Sequence, residues 1–115
     1  MTAGSFMEKF KCTRDGSKTR LSLLGRFTIE DKAVFQEFTE QNLGDSGGAL
    51  CVDVSELEYI DSSGIGDLIK LKMGAVNRYD RICLLGMSEN IERVFRMAGI
   101  NQIFEVIDEE GYAAL

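Results

Sequence analysis

The stretch Tyr59-Ile60-Asp61-Ser62-Ser63-Gly64-Ile65-Gly66-Asp67-Leu68-Ile69 joins an extended apolar segment to an amphipathic helix. A helix start leaves backbone N–H groups without intrahelical partners and carries partial positive charge. Asp61, Ser62 and Ser63 stand at that start. Asp or Ser there is a natural N-cap, worth about 1 kcal/mol. The same position also suits a phosphate on a serine hydroxyl, which adds about −1.5 to −2 charge. The helix start stabilises such a phosphate, so the fold should survive it. Beside Asp61 and Asp67 it adds repulsion, and it blocks a partner packed tightly on this end. The two uses are compatible, since one serine can cap while the other is modified.

Upstream, Ala49-Leu50-Cys51-Val52-Asp53-Val54 is almost continuously apolar. That is the pattern of a central strand covered on both faces. Ser55-Glu56-Leu57-Glu58 reads as a short connection into Tyr59-Ile60. Downstream, the helix is expected to run to about Asn77, with Ile65, Leu68, Ile69, Met73 and Val76 on one face. Gly64, Gly66 and Gly74 each cost roughly 1 kcal/mol relative to Ala inside a helix. Their presence points to close packing or to a surface kept flat.

Toward the N-terminus, Phe6 to Thr13 alternates loosely as a half-exposed strand. The Asp15-Gly16 turn leads into a second strand, Thr19 to Leu24, with Leu21 and Leu23 inward. Thr28 is placed to cap a helix carrying Glu30 and Asp31 in its first turn. Ala33, Val34, Phe35 and Phe38 give that helix its apolar stripe, extended by Leu43, and Asp45 to Gly48 is a loop. Toward the C-terminus, Arg81 to Gly86 is another buried strand. Ser88 caps a helix with Ile91, Val94, Phe95 and Ala98 along one side, and Gly99 suits its left-handed end. Ile103 to Ile107 reads as a last strand, and Asp108 to Leu115 as a short terminal helix.

The predicted order is β-β-α-β-α-β-α-β-α: an N-terminal hairpin followed by βαβ units. This is an α/β fold, with a mixed sheet of about five strands and about four helices. The 115 residues suffice for one domain, expected over 1–115. The formal net charge of −6 and the lack of a Lys/Arg cluster argue against nucleic-acid binding. No apolar run approaches the roughly 20 residues of a membrane helix, and the N-terminus lacks a signal-peptide pattern. No membrane insertion and a cytoplasmic location are therefore expected.

Histidine is absent, which removes the usual general base and zinc ligand. Cys12, Cys51 and Cys83 lie far apart, each in an apolar run, and read as small buried hydrophobes. There is no Walker loop, no GxGxxG after the first strand and no HExxH. Asp53, Glu56, Glu58, Asp61 and Asp67 fit no metal-loop template, and no cofactor is expected.

In this order of elements, several stretches resemble the STAS family, the sulphate transporter and anti-sigma factor antagonist domain. They are Leu50 to Ser55, Tyr59 to Gly66, Ser88 to Ile100 and Phe104 to Leu115. The Asp61-Ser62-Ser63-Gly64 joint is similar to the motif of the bacterial antagonists. The resemblance implies a STAS-like fold and a partner-switching mechanism. An unmodified antagonist binds an anti-sigma factor that is also a serine kinase. The kinase phosphorylates the first serine of the motif, here Ser62, and releases the modified antagonist. A PP2C-type phosphatase restores it. The antagonist itself is not an enzyme, and ATP and Mg²⁺ belong to the kinase.

By the same resemblance, Ser63 is the less favoured acceptor. Asp53, Asp61, Ser63, Gly64, Ile65, Gly66 and Asp67 shape the site or meet the partner, with the exposed parts of helix 65–77. Asp67 stands where members usually carry an apolar or small residue, so it is expected to set this chain apart. The rival expectation is a STAS scaffold or accessory subunit of a signalling or transport complex, with Ser62 only a cap.

Overall fold

A computed structural model describes residues 9–44 and 47–115. The strands β1 (Phe10–Asp15), β2 (Lys18–Phe27), β3 (Ala49–Ile60), β4 (Arg81–Leu85) and β5 (Glu105–Val106) form one sheet in that order. β1 and β2 pair antiparallel across the Gly16 turn, and every later pair is parallel. The helices are α1 (Lys32–Asn42), α2 (Ser62–Ala75), α3 (Glu89–Ala98), the single turn α4 (Ile100–Ile103) and α5 (Glu109–Ala113).

This strand order explains the layering. The sheet grows in one direction from β2 to β5, and right-handed crossovers then put every connecting helix on the same face. Leu21, Leu23, Leu50, Val52, Val54 and Leu84 point to that face and pack with Phe35, Leu68, Leu71, Ile91 and Phe95 as the main core. Phe10, Phe27, Phe35 and Phe38 join their rings there, with centroids 4.8 to 5.7 Å apart. The opposite face carries Cys51, Cys83 and Leu85, covered by Ile107, Tyr112 and Leu115 of the C-terminal segment. Arg20 holds α5 there: its guanidinium lies 4.2 Å from the Tyr112 ring centroid and pairs with Glu109 at 2.9 Å.

The sheet departs from expectation in its longest strand. Ser55 to Glu58 is not a connection but part of the twelve-residue β3, and β2 runs on to Phe27 beside it. The pairing stays in step through shifts at Ser22/Leu24 and Gly25/Arg26. Gly25 takes φ 73° at the second of these, a conformation that costs glycine least. The last strand shrinks to two residues because Ile100 to Ile103 continues as a helical turn. The first strand begins at Phe10, and Phe6 to Glu8 lie outside the described residues.

Two helix faces also differ from the expected stripes. In α1 only Phe35 is buried and Phe38 half-buried, while Ala33 and Val34 face outward. In α2 the buried side is Gly64, Asp67, Leu68, Leu71 and Ala75. Met73 and Val76 are exposed, at 69% and 54%. The N-caps Thr28 and Ser88 and the left-handed Gly99 are as expected.

Candidate functional site at the start of α2

β3 delivers the chain to the sheet edge at Ile60, and Asp61 turns it into α2. The Asp61 backbone is extended, and its Oδ1 accepts the Gly64 N–H at 2.9 Å. Its Oδ2 accepts the Ile29 N–H at 3.1 Å. One carboxylate therefore caps the helix and ties it to the turn after β2. Neither serine caps. Ser62 is exposed as the first helical residue, and Ser63 is half-buried.

Gly64 is needed for this seating. A Cβ there would lie 2.7 Å from both the Phe27 carbonyl oxygen and Ile60 Cγ1. That carbonyl also accepts the Asp61 N–H at 3.3 Å. Gly66 meets nothing within 4 Å, so no such contact requires it.

The turn beside the helix start is built from a second carboxylate. Asp31 Oδ2 accepts the Thr28 N–H at 2.8 Å, and Oδ1 pairs with Lys9 Nζ at 2.7 Å. Burial opposes the charge on Asp31, but these bonds outweigh it and hold the carboxyl below its usual range. Between this turn and Asp61 runs a shallow groove lined by Arg26, Thr28, Ile29, Glu30 and Tyr59. Arg26 stacks on Tyr59, 4.3 Å from its ring centroid. Ile29 and Tyr59 remain exposed beside Ser62. The sequence gave no periodic signal for this groove, because Ile29 lies in a single 3-10 turn that follows a bulged strand.

At 3.6 residues per turn, Ser62, Ile65, Gly66, Ile69, Met73 and Val76 fall on one side of α2, opposite the buried side. Ile65 and Ile69 are half-buried at its flanks. Ser62 therefore heads an apolar face that the fold itself does not cover.

The other acidic positions lie elsewhere. Asp67 is turned to the buried side, where its Oδ1 pairs with Lys32 Nζ of α1 at 2.8 Å. Asp53 sits seven residues before Ile60, on the order of 20 Å along an extended strand. Its carboxylate pairs with Arg20 at 2.8 Å and accepts the Ser55 N–H at 2.9 Å. Asp61, Ser62, Ser63, Gly64, Ile65 and Gly66 form one site, and Asp53 and Asp67 stand outside it. Among the described residues no three His, Cys, Asp or Glu side chains converge on a position that could hold a metal ion. Cys51 and Cys83 are buried and Cys12 half-buried. Burial pushes the Cys51 thiol up to about 12, far from a reactive thiolate. No helix among the described residues is long and apolar enough to cross a membrane.

A hairpin-led mixed sheet with its crossover helices on one face, and a capped Asp-Ser-Ser-Gly joint after the central strand, define a recognisable class of domain. A family model described as "Mlab, STAS domain" matches residues 10–107, and the chain belongs to this STAS family. The Anti-sigma-B factor antagonist of Listeria monocytogenes serovar 1/2a is 31% identical over 65 residues, covering 56% of this chain and 57% of that protein. The match thus spans little more than half of this relative's length. An anti-sigma factor antagonist from Mycobacterium paratuberculosis superposes with a TM-score of 0.69 at 15% identity, covering 84% of this chain and 82% of that one. The anti-sigma factor antagonist SpoIIAA in its unphosphorylated form gives 0.63 at 19% identity, over 90% and 92%. At such identities these structures show a shared fold.

Proposed function

We propose that this chain is an anti-sigma factor antagonist that works by partner switching. Unmodified, it binds an anti-sigma factor that is also a serine kinase. Phosphorylation of Ser62 ends that binding, and a PP2C-type phosphatase reverses the modification. The chain performs no catalysis of its own in this cycle, because the kinase supplies the ATP site. Its place is with soluble cytoplasmic regulators.

One observation carries the reading. Asp61 alone caps α2, so Ser62 is left exposed at the head of an apolar face that no other element covers. A phosphate at Ser62 would meet the free N–H groups and positive end of the helix without displacing Asp61 from Gly64 or Ile29. The fold then tolerates the modification. A partner packed on Ile65, Ile69 and Met73 would instead have to desolvate a dianion, which is strongly unfavourable without a matching cation. Ser63, half-buried behind Ser62, is less open to a kinase.

The test is to incubate the chain with the purified anti-sigma factor kinase of its own organism and ATP, then map phosphate by mass spectrometry. Ser62 should take it. Ser62→Asp should bind the kinase at least tenfold more weakly while its melting temperature stays within a few degrees. Phosphate on another residue, or ATP-driven release that persists in Ser62→Ala, would sink the proposal.

A further inference from the structure

Beside the Ser62 face lies a groove of about 230 Å³ between α1 and α2, which a switch confined to Ser62 does not use. Gly74 lines it, and a Cβ built there would meet nothing within 4 Å. A glycine inside a helix is unfavourable, and unlike Gly64 this one answers to no internal contact. Asp67 lines the same groove with its side chain only 6% exposed. Oδ1 is bonded to Lys32, but Oδ2 is buried and has no hydrogen-bond partner. A carboxylate oxygen in that condition gains from any donor delivered to it. The lining is also basic: Lys32, Lys70 and Arg78 outnumber Glu40 and the already paired Asp67, on a chain of net charge −6.

We propose that this groove receives an acidic segment of the same protein partner that covers the Ser62 face. The segment crosses α2 over Gly74, where the missing side chain admits its backbone. A neutral donor of the segment, a Ser, Thr or Asn side chain, reaches Asp67 Oδ2. The donor is neutral because Lys32 already supplies the positive charge. A carboxylate of the segment meets Lys70, which is exposed at the rim. Lys70 lies between Gly66 and Gly74 around the helix, so one partner spans both surfaces without a break. The inference rests on the proposed function for its partner. It adds that partner's local chemistry and gives Asp67 a role in specificity.

The test measures affinity of the purified anti-sigma factor kinase for the wild-type chain, Gly74→Leu, Gly74→Ala, Asp67→Asn, Lys70→Glu and Ser62→Asp, at low and high salt. Gly74→Leu fills the groove and should weaken binding at least tenfold with an unchanged or raised melting temperature. Asp67→Asn replaces the acceptor with a donor and should cost about as much. Lys70→Glu should weaken binding several-fold and flatten its salt dependence. If Gly74→Leu unfolds, Lys70→Glu and Gly74→Ala still decide. Groove variants that bind within twofold of wild type, while Ser62→Asp does not bind, would overturn this inference and leave the switch standing. A wild-type chain that does not bind the kinase would fell the proposed function and this inference with it. A dimer of the chain broken by Gly74→Leu would assign the groove to a second copy and overturn the proposal.

Discussion

Helices α2 and α3 follow one another on the same face of the sheet, yet they are built on different rules. α3 has one apolar side, with Ile91 and Phe95 buried to 2% and 0% exposure. Its outer side carries Glu89, Arg93 and Arg96, and Glu92 pairs with Arg96 one turn on. Ser88 caps its start and Gly99 its end. α2 is apolar on two opposite sides, and the serines at its start are spared capping by Asp61. A helix whose only apolar side is buried is explained by folding alone. One that also keeps Ile65, Ile69, Met73 and Val76 on its outer side has an apolar surface left over, the mark of a binding face.

The contrast can be broken at its extremes first. Phe95→Ala should destabilise the protein by about 3–5 kcal/mol in urea unfolding, since it empties a fully enclosed site. Next comes the seat of α2. Gly64→Ala should cost about 1–3 kcal/mol, because its methyl would press on the Phe27 backbone and on Ile60. Gly66→Ala, in open space on the same helix, should raise stability by up to about 1 kcal/mol. If both substitutions act alike, the two sides of α2 are not as different as their packing implies.

A smaller effect separates the two helix starts by pH. Asp31, which braces the turn against α2, has its folded pKa lowered. A lowered folded pKa contributes stability that is present above the unfolded value, near 3.9, and is lost as pH falls through the folded value. Acid unfolding of the wild type should therefore show this loss below about pH 4. Asp31→Asn should start less stable at pH 7 and lose less over that window. Ser88, the cap of α3, does not titrate and should show no such dependence. The smallest effect belongs to the outer side of α2. Met73→Ser should change stability by no more than about 0.5 kcal/mol, yet weaken binding to the partner.

Much of the fold was legible in the sequence, for local reasons. The hairpin was visible because Asp15-Gly16 supplies its turn and Leu21 and Leu23 alternate. Thr28, Ser88 and Gly99 were readable as helix ends because capping is a contact within three or four residues. The joint after β3 was readable for the same reason. What misled was strand continuity. Glu56 and Glu58 interrupt the apolar run, so Ser55 to Glu58 read as a connection. In the fold their side chains are exposed while Leu57 stays buried, and β2 continues to pair beside them. Solvent on one side of the sheet's outer end permits that alternation, and only the neighbouring strand reveals it.

At the site itself the sequence fixed the kind of residues but not their directions. Asp61, Ser62 and Ser63 were all able to cap. The choice fell to Asp61 because its second oxygen also meets Ile29, which is 32 residues away. Asp67 read as a first-turn acid near the switch, and Asp53 as a neighbour of it. Lys32 and Arg20, each on a different element, draw them elsewhere.

By itself, then, the sequence determined the order of strands and helices, their ends, and the serine-bearing joint, because turns, caps and periodicity act over a few residues. Which apolar side of α2 is buried was decided only by the tertiary structure. Periodicity shows that a helix has apolar sides; it does not say which one meets the sheet. Gly64, set against Phe27 and Ile60, seats the helix with Leu68 and Leu71 inward, and by the same rotation leaves Ser62 facing outward.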